Sequence, residues 1–371
     1  MFLLIGIVIF FAAVLPYIIY LTGIFFGKKS VPCPFPATYP AISIIISAYN
    51  EELVVSQRIA NLASCHYPRD SYEVIFVDDC SSDRTLERAR VSLEKAGIMH
   101  TVIANTERLG TNRSYNHAMK IAKYPIIVTT DADVFFEPSA LNYLIARLMS
   151  DPKIAAVTGE LQPRMNANST TKLEGAYRSF YGRMCDWEST VDSTYNFNGA
   201  LVAFRTDLIR RIDDKRGSDD ANTAFEAIRR GYRAVYETRA VVYEDIPVSF
   251  KVQYRQKIRR ATRLIEATLA NLDLLHEHRP FSRFFYPLRI SIAIFTPALF
   301  FLSLILMAVG IFFINPFILA AIAGLGLVVA LVWKDNLFIA FTLNQFYLFR
   351  GLLNLGKDMR VWESTSKKGN T

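Results

Sequence analysis

Two carboxylates, Asp131 and Asp133, stand one residue apart just after the apolar run Ile126-Ile127-Val128. Such a run reads as a buried strand, so the two acids project from a strand end into a shared polar space. Hard carboxylate oxygens there suit Mg²⁺ or Mn²⁺, whose usual companions are diphosphates. A strand-end turn with solvated acids has the same spelling, and the pair alone does not decide between the two. Further polar clusters follow apolar runs: Ser47-Ala48-Tyr49-Asn50-Glu51-Glu52 after residues 42–46, and Asp78-Asp79 after residues 73–77. Singly, each is an ordinary turn or helix cap. Together they mark a site, because open α/β sheets bind ligands outside the carboxyl ends of their strands. Neither a GxGxxG fingerprint nor a GxxxxGK[ST] phosphate loop occurs in this region, which argues against dehydrogenase and NTPase chemistry.

The stretch ending in Ser47-Ala48-Tyr49-Asn50-Glu51-Glu52, then Val77-Asp78-Asp79-Cys80-Ser81-Ser82-Asp83, then Thr130-Asp131-Ala132-Asp133 resemble the successive signatures of family 2 glycosyltransferases, in order and in spacing. Ser47 stands where that family usually has proline. Gly110-Thr111-Asn112-Arg113-Ser114-Tyr115-Asn116 is similar to its GKxxALN segment, with Thr111 in place of the common lysine. Residues 197–205, with Asn198, Gly199 and Ala200, look like the acceptor-side strand, and Gly217-Ser218-Asp219-Asp220 looks like the catalytic TED or GDD motif. Glu244-Asp245-Ile246-Pro247 precedes Gln256-Lys257-Ile258-Arg259-Arg260, which resembles QxxRW. The likeness covers residues 42–263 and the flanking apolar segments, and it points to the membrane-integrated branch that includes cellulose and hyaluronan synthases.

The resemblance implies a GT-A, Rossmann-like α/β fold and inverting transfer of a hexose from GDP-mannose or a UDP-hexose to a polyprenyl-linked saccharide. On this reading Ala48, Tyr49, Glu51 and Asp79 line the base and ribose, and Asn112 joins the donor site. Asp133 holds Mn²⁺ or Mg²⁺, and Asp131 helps to bind that metal or the ribose; the metal neutralises charge on the departing diphosphate. Asp220 is the general base, with Asp219 beside it on the acceptor side. Alone, those two acids would read as the stabilising charges of a helix N-terminus. Gln256, Arg259 and Arg260 face the diphosphate, since a guanidinium donates paired hydrogen bonds to phosphate. Trp187 is either an aromatic platform for an acceptor sugar or a buried packing residue. Arg260 replaces the tryptophan of the processive enzymes, which favours one or a few transfers over polymer extension. A processive synthase, and a catalytically silent membrane scaffold, are the competing readings.

The elements that must position these residues follow from hydropathy. Short β-branched runs at 42–46, 73–77, 101–104 and 125–129 alternate with helical patterns and predict a parallel, nucleotide-binding sheet. Residues 1–27 read as an uncleaved transmembrane anchor, charge-free through residue 26 and followed by Lys28-Lys29, which puts the next domain in the cytoplasm. Residues 28–40 form a Pro-rich linker, 41–250 the catalytic domain and 251–283 a basic amphipathic, interfacial region. Residues 284–356 form a second membrane region, a hairpin turning at Asn315-Pro316 followed by a third segment that is a span, a re-entrant piece or an interfacial helix. Residues 357–371 form a basic tail. Four cysteines without a CxxC pair give no zinc site or disulfide framework. The net charge of +8 gathers near membrane boundaries, where lipid explains it better than a nucleic acid polymer.

Overall fold

The computed structural model describes residues 1–164, 169–213, 219–246, 249–332 and 337–357. After helix α1 (Phe2–Phe26), strand β1 (Ile42–Ala48), α2 (Val55–Ala63), β2 (Tyr72–Asp78), α3 (Thr85–Ala96) and β3 (His100–Ala104) alternate. Helix α4 (Thr111–Met119), β4 (Ile126–Asp131), β5 (Val134–Phe136), α5 (Ala140–Met149) and β6 (Ile154–Pro163) follow. Then come α6 (Ser169–Val191), β7 (Val202–Arg205), α7 (Asp219–Arg229), β8 (Arg233–Glu244) and α8 (Phe250–Ala270). The chain ends in α9 (Tyr286–Ile290), α10 (Thr296–Ile314), α11 (Pro316–Val332) and α12 (Leu337–Leu352).

One eight-stranded sheet, in the order β3-β2-β1-β4-β7-β6-β8-β5, organises the middle of the chain. Strands such as β1 and β2 are apolar on both faces because both faces are covered. Ile42, Ile44 and Ile46 pack with Ile59 and Leu62 of α2, whereas Ile45, Ile75 and Ile127 point to the other face, toward Tyr115 of α4 and Phe225 of α7. Strands β3, β2, β1 and β4 run parallel as the alternation predicts. Strands β7 and β5 depart from that expectation: β7 is antiparallel to both β4 and β6, and β5 to β8, whereas β6 and β8 pair in parallel. Helix α6 ends beside Arg233 and Ala234 at the start of β8, and the segment after it runs back past Gly159 to the carboxyl edge, so β7 starts there and must run the other way. Its first residue, Val202, therefore pairs with Thr129 near the carboxyl end of β4.

Two π-turns, Phe281–Phe285 before α9 and Ser291–Phe295 between α9 and α10, complete one apolar rod, Phe281–Ile314, which lies against α1. Both are long and apolar enough to cross a membrane. They pack closely because Gly6 and Gly310 carry no side chain: a Cβ at Gly6 would meet Met307, and one at Gly310 would meet Leu3. Extended backbone at Asn315 breaks the rod before Pro316 opens α11, as expected for a hairpin turn. Helix α12 has 16 residues, about 24 Å at the usual rise, which is shorter than a bilayer core. Its polar residues face protein, with Gln345 donating to Tyr17 at 3.0 Å and Asn344 accepting from Tyr177 at 2.6 Å. Helix α8 ends at Ala270 and a 3₁₀ turn, Leu272–His276, continues the segment.

Trp187 belongs to this junction rather than to an acceptor site, which corrects the sugar-platform alternative. Its ring lies edge-on to Tyr20 and Phe285 at centroid distances of 5.5 and 5.1 Å, and it fills the space left by Gly23. Beneath it, buried Glu188 accepts from Tyr20 of α1 and, at 2.6 Å, from Arg289 of α9. An ion pair of this kind is expensive to break on one side only. Arg289→Met should therefore cost about 3–5 kcal/mol by leaving Glu188 buried and uncompensated, whereas Glu188→Leu with Arg289→Met should restore most of the stability. Thermal unfolding in detergent checks this; a double variant as unstable as the single one would refute it.

Candidate functional site

The loops after β1 and β2 are stitched into one wall. Asn50 takes a left-handed conformation, φ 53°, that asparagine tolerates better than most residues. Its backbone N–H donates to Ser81 Oγ at 3.0 Å, and its side-chain oxygen accepts from the Ser82 N–H at 2.9 Å. The Glu51 and Glu52 N–H groups donate to Thr85 at 2.7 Å and Asp83 at 3.2 Å, and the Arg84 N–H donates to Glu52 at 3.1 Å. The two polar clusters seen in the sequence are thus halves of one structure, and they hold Ala48, Tyr49 and Glu51 at the cleft edge.

Asp79 has a structural task as well as a cleft position. Its carboxylate accepts from the N–H groups of Leu109 and Gly110 at 2.8 and 2.9 Å and from Asn105 at 2.9 Å. This shapes the turn at Gly110, where φ is +81°, a value glycine adopts readily. The same turn lays the Arg108 guanidinium over the Tyr49 ring, 3.5 Å from its centroid. Asn112, expected in the donor site, instead donates to the Asp213 carbonyl at 2.7 Å and ties α4 to the segment after β7. Helical spacing explains the miss: Gly110 and Thr111 at the start of α4 face the cleft, and the next position turns away.

Register sets the centre of the site. Ala48 pairs with Asp78 of β2, and Ser47 pairs with Asp131 of β4 across the β1/β4 boundary, where the strand order reverses direction. Because β7 enters from this edge, Ala200 lies against β4 and its carbonyl accepts from Thr130 Oγ1 at 2.7 Å. Asn198 donates to the Gly159 carbonyl at 2.6 Å. Buried Arg58, which sequence reasoning missed, supports the turn between Asp131 and Asp133. It donates to the Asp131 carbonyl at 3.3 Å and to Thr130 Oγ1 at 3.2 Å, and it stacks on Phe136 at 4.0 Å. Burial pulls its pKa down to about 10, against the upward pull of the cleft acids Asp131 and Asp133. The available signal was a charged residue on the apolar stripe of Val55, Ile59 and Leu62.

These elements enclose a cavity of about 340 Å³. Ala48, Tyr49, Glu51, Asp79, Asp131 and Asp133 form one side, and Asn198, Gly199, Ala200 and Asp220 form another. Gln256, Arg259, Arg260 and Arg263 of α8 close it, while Ala261 and Ile265 on the opposite face of the helix join the core next to α12. Asp220, in the first turn of α7, accepts from the Ala221 N–H at 2.9 Å. Gly217, Ser218 and Pro247 lie outside the described residues, as does the side chain of Asp219. Arg260 is held by buried Glu244 at 2.8 Å, and that neighbour keeps the guanidinium firmly charged. Among the described residues no group of three or more His, Cys, Asp or Glu side chains makes a ready metal cage, so a metal here would rest on the two cleft acids and on its ligand.

Behind the cavity, Glu160 accepts from Tyr236 Oη at 2.9 Å, and burial pushes its carboxyl up to about 7 from 4.5. The folded chain thus keeps a proton that an unfolded glutamate releases. Stability should fall by up to about 1.4 kcal/mol per unit as pH rises between those values, and level off above. Glu160→Gln should abolish that slope in thermal unfolding followed across pH; an unchanged slope would assign it elsewhere.

Residues 43–212 match the sequence profile "Glycosyl transferase family 2". The chain is 29% identical over 291 residues to "Probable glycosyltransferase YdaM" of Bacillus subtilis, covering 75% of this chain and 67% of that protein. It is 24% identical over 224 residues to the poly-beta-1,6-N-acetyl-D-glucosamine synthase of Staphylococcus aureus, covering 59% of this chain and 53%, about half, of the synthase. In fold it is similar to mannosyltransferase PcManGT from Pyrobaculum calidifontis, solved with GDP-Man and Mn²⁺. The TM-score is 0.82 at 24% identity, over 97% of this chain and 100% of that one.

Proposed function

We propose, from the premise that this chain is a glycosyltransferase with a family 2 domain over residues 43–212, that it works at a membrane. It would transfer one hexose or a few from a nucleotide sugar to a polyprenyl phosphate- or diphosphate-linked saccharide, with inversion. The observation that carries this reading is the meeting of Asp131, Asp133, Asp220, Gln256 and Arg259 around one cavity. In this reading α1 and the Phe281–Ile314 rod span the bilayer, Lys28 and Lys29 mark its cytoplasmic side, and the cleft opens to the cytoplasm. The chain would then belong to the membrane-integrated, cellulose synthase-like branch of the family.

Each residue has a task that its chemistry allows. Tyr49 and Arg108 offer stacked planar faces to the base, and Asp79 keeps the loop beneath it in shape. Gln256 and Arg259 donate to diphosphate oxygens. Asp131 and Asp133 supply the hard oxygens that suit Mn²⁺ or Mg²⁺, and a bound divalent ion would neutralise charge on the leaving diphosphate. Asp220 takes the proton of the acceptor hydroxyl as that oxygen attacks the anomeric carbon from the side opposite the diphosphate. Asn198, Gly199 and Ala200 border the acceptor end.

The likeness to the staphylococcal synthase favours a second reading, a processive polysaccharide synthase. Product length separates the two. Purified protein incubated with GDP-mannose or UDP-hexoses, Mn²⁺ or Mg²⁺ and lipid extract should yield lipids heavier by one or a few hexoses. A ladder of long polymers would support the synthase, and soluble products alone would refute the lipid acceptor.

Chelation and Asp133→Ala should each abolish transfer while the domain stays folded, with Mn²⁺ or Mg²⁺ reversing the chelation; activity that resists chelators would overturn the metal assignment. Asp220→Asn should lower turnover by about 10²-fold or more with donor binding nearly unchanged, and Asp219→Asn should be milder. A larger loss at Asp219 in the same assay would move the base to that residue.

A further inference from the structure

A second cavity, of about 310 Å³, lies between α6, α8 and α12 and shares the walls formed by Phe197, Asn198, Arg260 and Leu264 with the first. Its character is different. Ala340, Leu343 and Leu348 of α12 give it an apolar side, and Tyr177 and Tyr181 of α6 give it an aromatic one. Arg178, Lys257 and Arg260 line it against a single lining carboxylate, Glu174.

The charges are organised rather than loose. Arg178 pairs with Glu174 and with Glu244, both at 3.0 Å, Lys257 pairs with Glu174 at 2.6 Å, and Arg260 pairs with Glu244 at 2.8 Å. Arg178, Lys257 and Arg260 thus share Glu174 and Glu244. Arg178 Nη1 is buried and has no hydrogen-bond partner among the described residues. A buried guanidinium N–H left unpaired is costly, and a ligand oxygen would satisfy it. An apolar wall beside these cations is complementary to an amphiphile with an anionic head.

We propose that this second cavity binds the phosphate group and adjoining hydrocarbon of a lipid-phosphate acceptor, with Arg178 and Lys257 on the phosphate and α12 against the chain. The proposal rests on the lipid-acceptor reading above and adds its seat. The saccharide end would pass Asn198 into the first cavity, toward Asp220.

The test uses the full chain in detergent with three probes: a C15 prenyl monophosphate, the C15 prenyl alcohol and inorganic phosphate. Wild type should bind the monophosphate at least about tenfold more tightly than either of the others. Arg178→Gln should erase the advantage over the alcohol, and Lys257→Gln, at the more exposed rim, should reduce it. Leu343→Trp, which fills the apolar side, should weaken both prenyl probes about tenfold. Nucleoside diphosphate binding, measured in parallel, should stay at the wild-type level and reports folding; should Arg178→Gln lose it, Lys257→Gln alone decides the phosphate contact. If the monophosphate binds but none of the variants changes its affinity, the cavity assignment is wrong while the lipid acceptor stands. Equal binding of monophosphate and alcohol by wild type would overturn the phosphate site, as would displacement of the probe by a neutral oligosaccharide. If no prenyl probe binds and transfer proceeds to soluble saccharides, the lipid-acceptor reading itself falls.

Discussion

The direction of β7 is the constraint on which the cleft depends. A parallel strand between β4 and β6 would begin at the far edge of the sheet and leave Asn198, Gly199 and Ala200 away from Asp131. Running antiparallel, β7 begins at the edge where β1, β2 and β4 end, so the segment before it meets the acids that follow them. The hydrogen bond from Thr130 to the Ala200 carbonyl fastens that meeting. Thr130 and Ala200, about seventy positions apart in the chain, become neighbours through one reversal of strand direction.

A second constraint fixes the apolar helices to the domain. Glu188 at the end of α6 joins Tyr20 from one end of the chain to Arg289 from the other, under the lid of Trp187. Because α6 also supplies a wall of the second cavity, this junction sets the position of the helices against the site. Helix α12 then lies on α8, where Gly351 allows close approach to Ala261 and Thr262, and α8 in turn presents Gln256, Arg259 and Arg260 to the cleft. Buried polar contacts here orient elements whose apolar packing alone would allow sliding.

Much of the cleft was legible in the sequence, for a physical reason. Parallel strands end in ligand-binding loops, so acids after the apolar runs at 42–46, 73–77 and 125–129 could be assigned to one edge without knowing any long-range contact. Asp131, Asp133, Asp79 and Tyr49 line the cavity as that reasoning requires, and Asp220, expected there only from the family resemblance, lines it too. What failed depended on the direction of single side chains or strands. Asn112 sits one helical step beyond the cleft-facing Thr111, a difference of about 100° that a motif does not encode. Trp187 was ambiguous because an indole packs equally well on a sugar or on a glycine, and Gly23 lies too far away in sequence to be linked to it. Antiparallel β7 was invisible to alternation, which reports that a strand exists and not which way it runs. Arg58 was legible in principle, as a charge on an apolar stripe, but its partners belong to another strand end.

The pairing of α1 with α10 also bears on how the chain assembles. Thr296 donates to the Ala13 carbonyl, a contact that spans 283 residues, and Gly6 and Gly310 fit their partners near the opposite ends of the two helices. During synthesis the first helix must therefore wait for its counterpart on the order of tens of seconds, at ordinary elongation rates. The eight-stranded domain, whose strands pair within the residues already made, can close in that interval. The Ala13 carbonyl and the Tyr17 hydroxyl, whose partners Thr296 and Gln345 are made last, stay unmatched until those helices arrive, so final docking clasps an already formed domain between the two ends of its own chain.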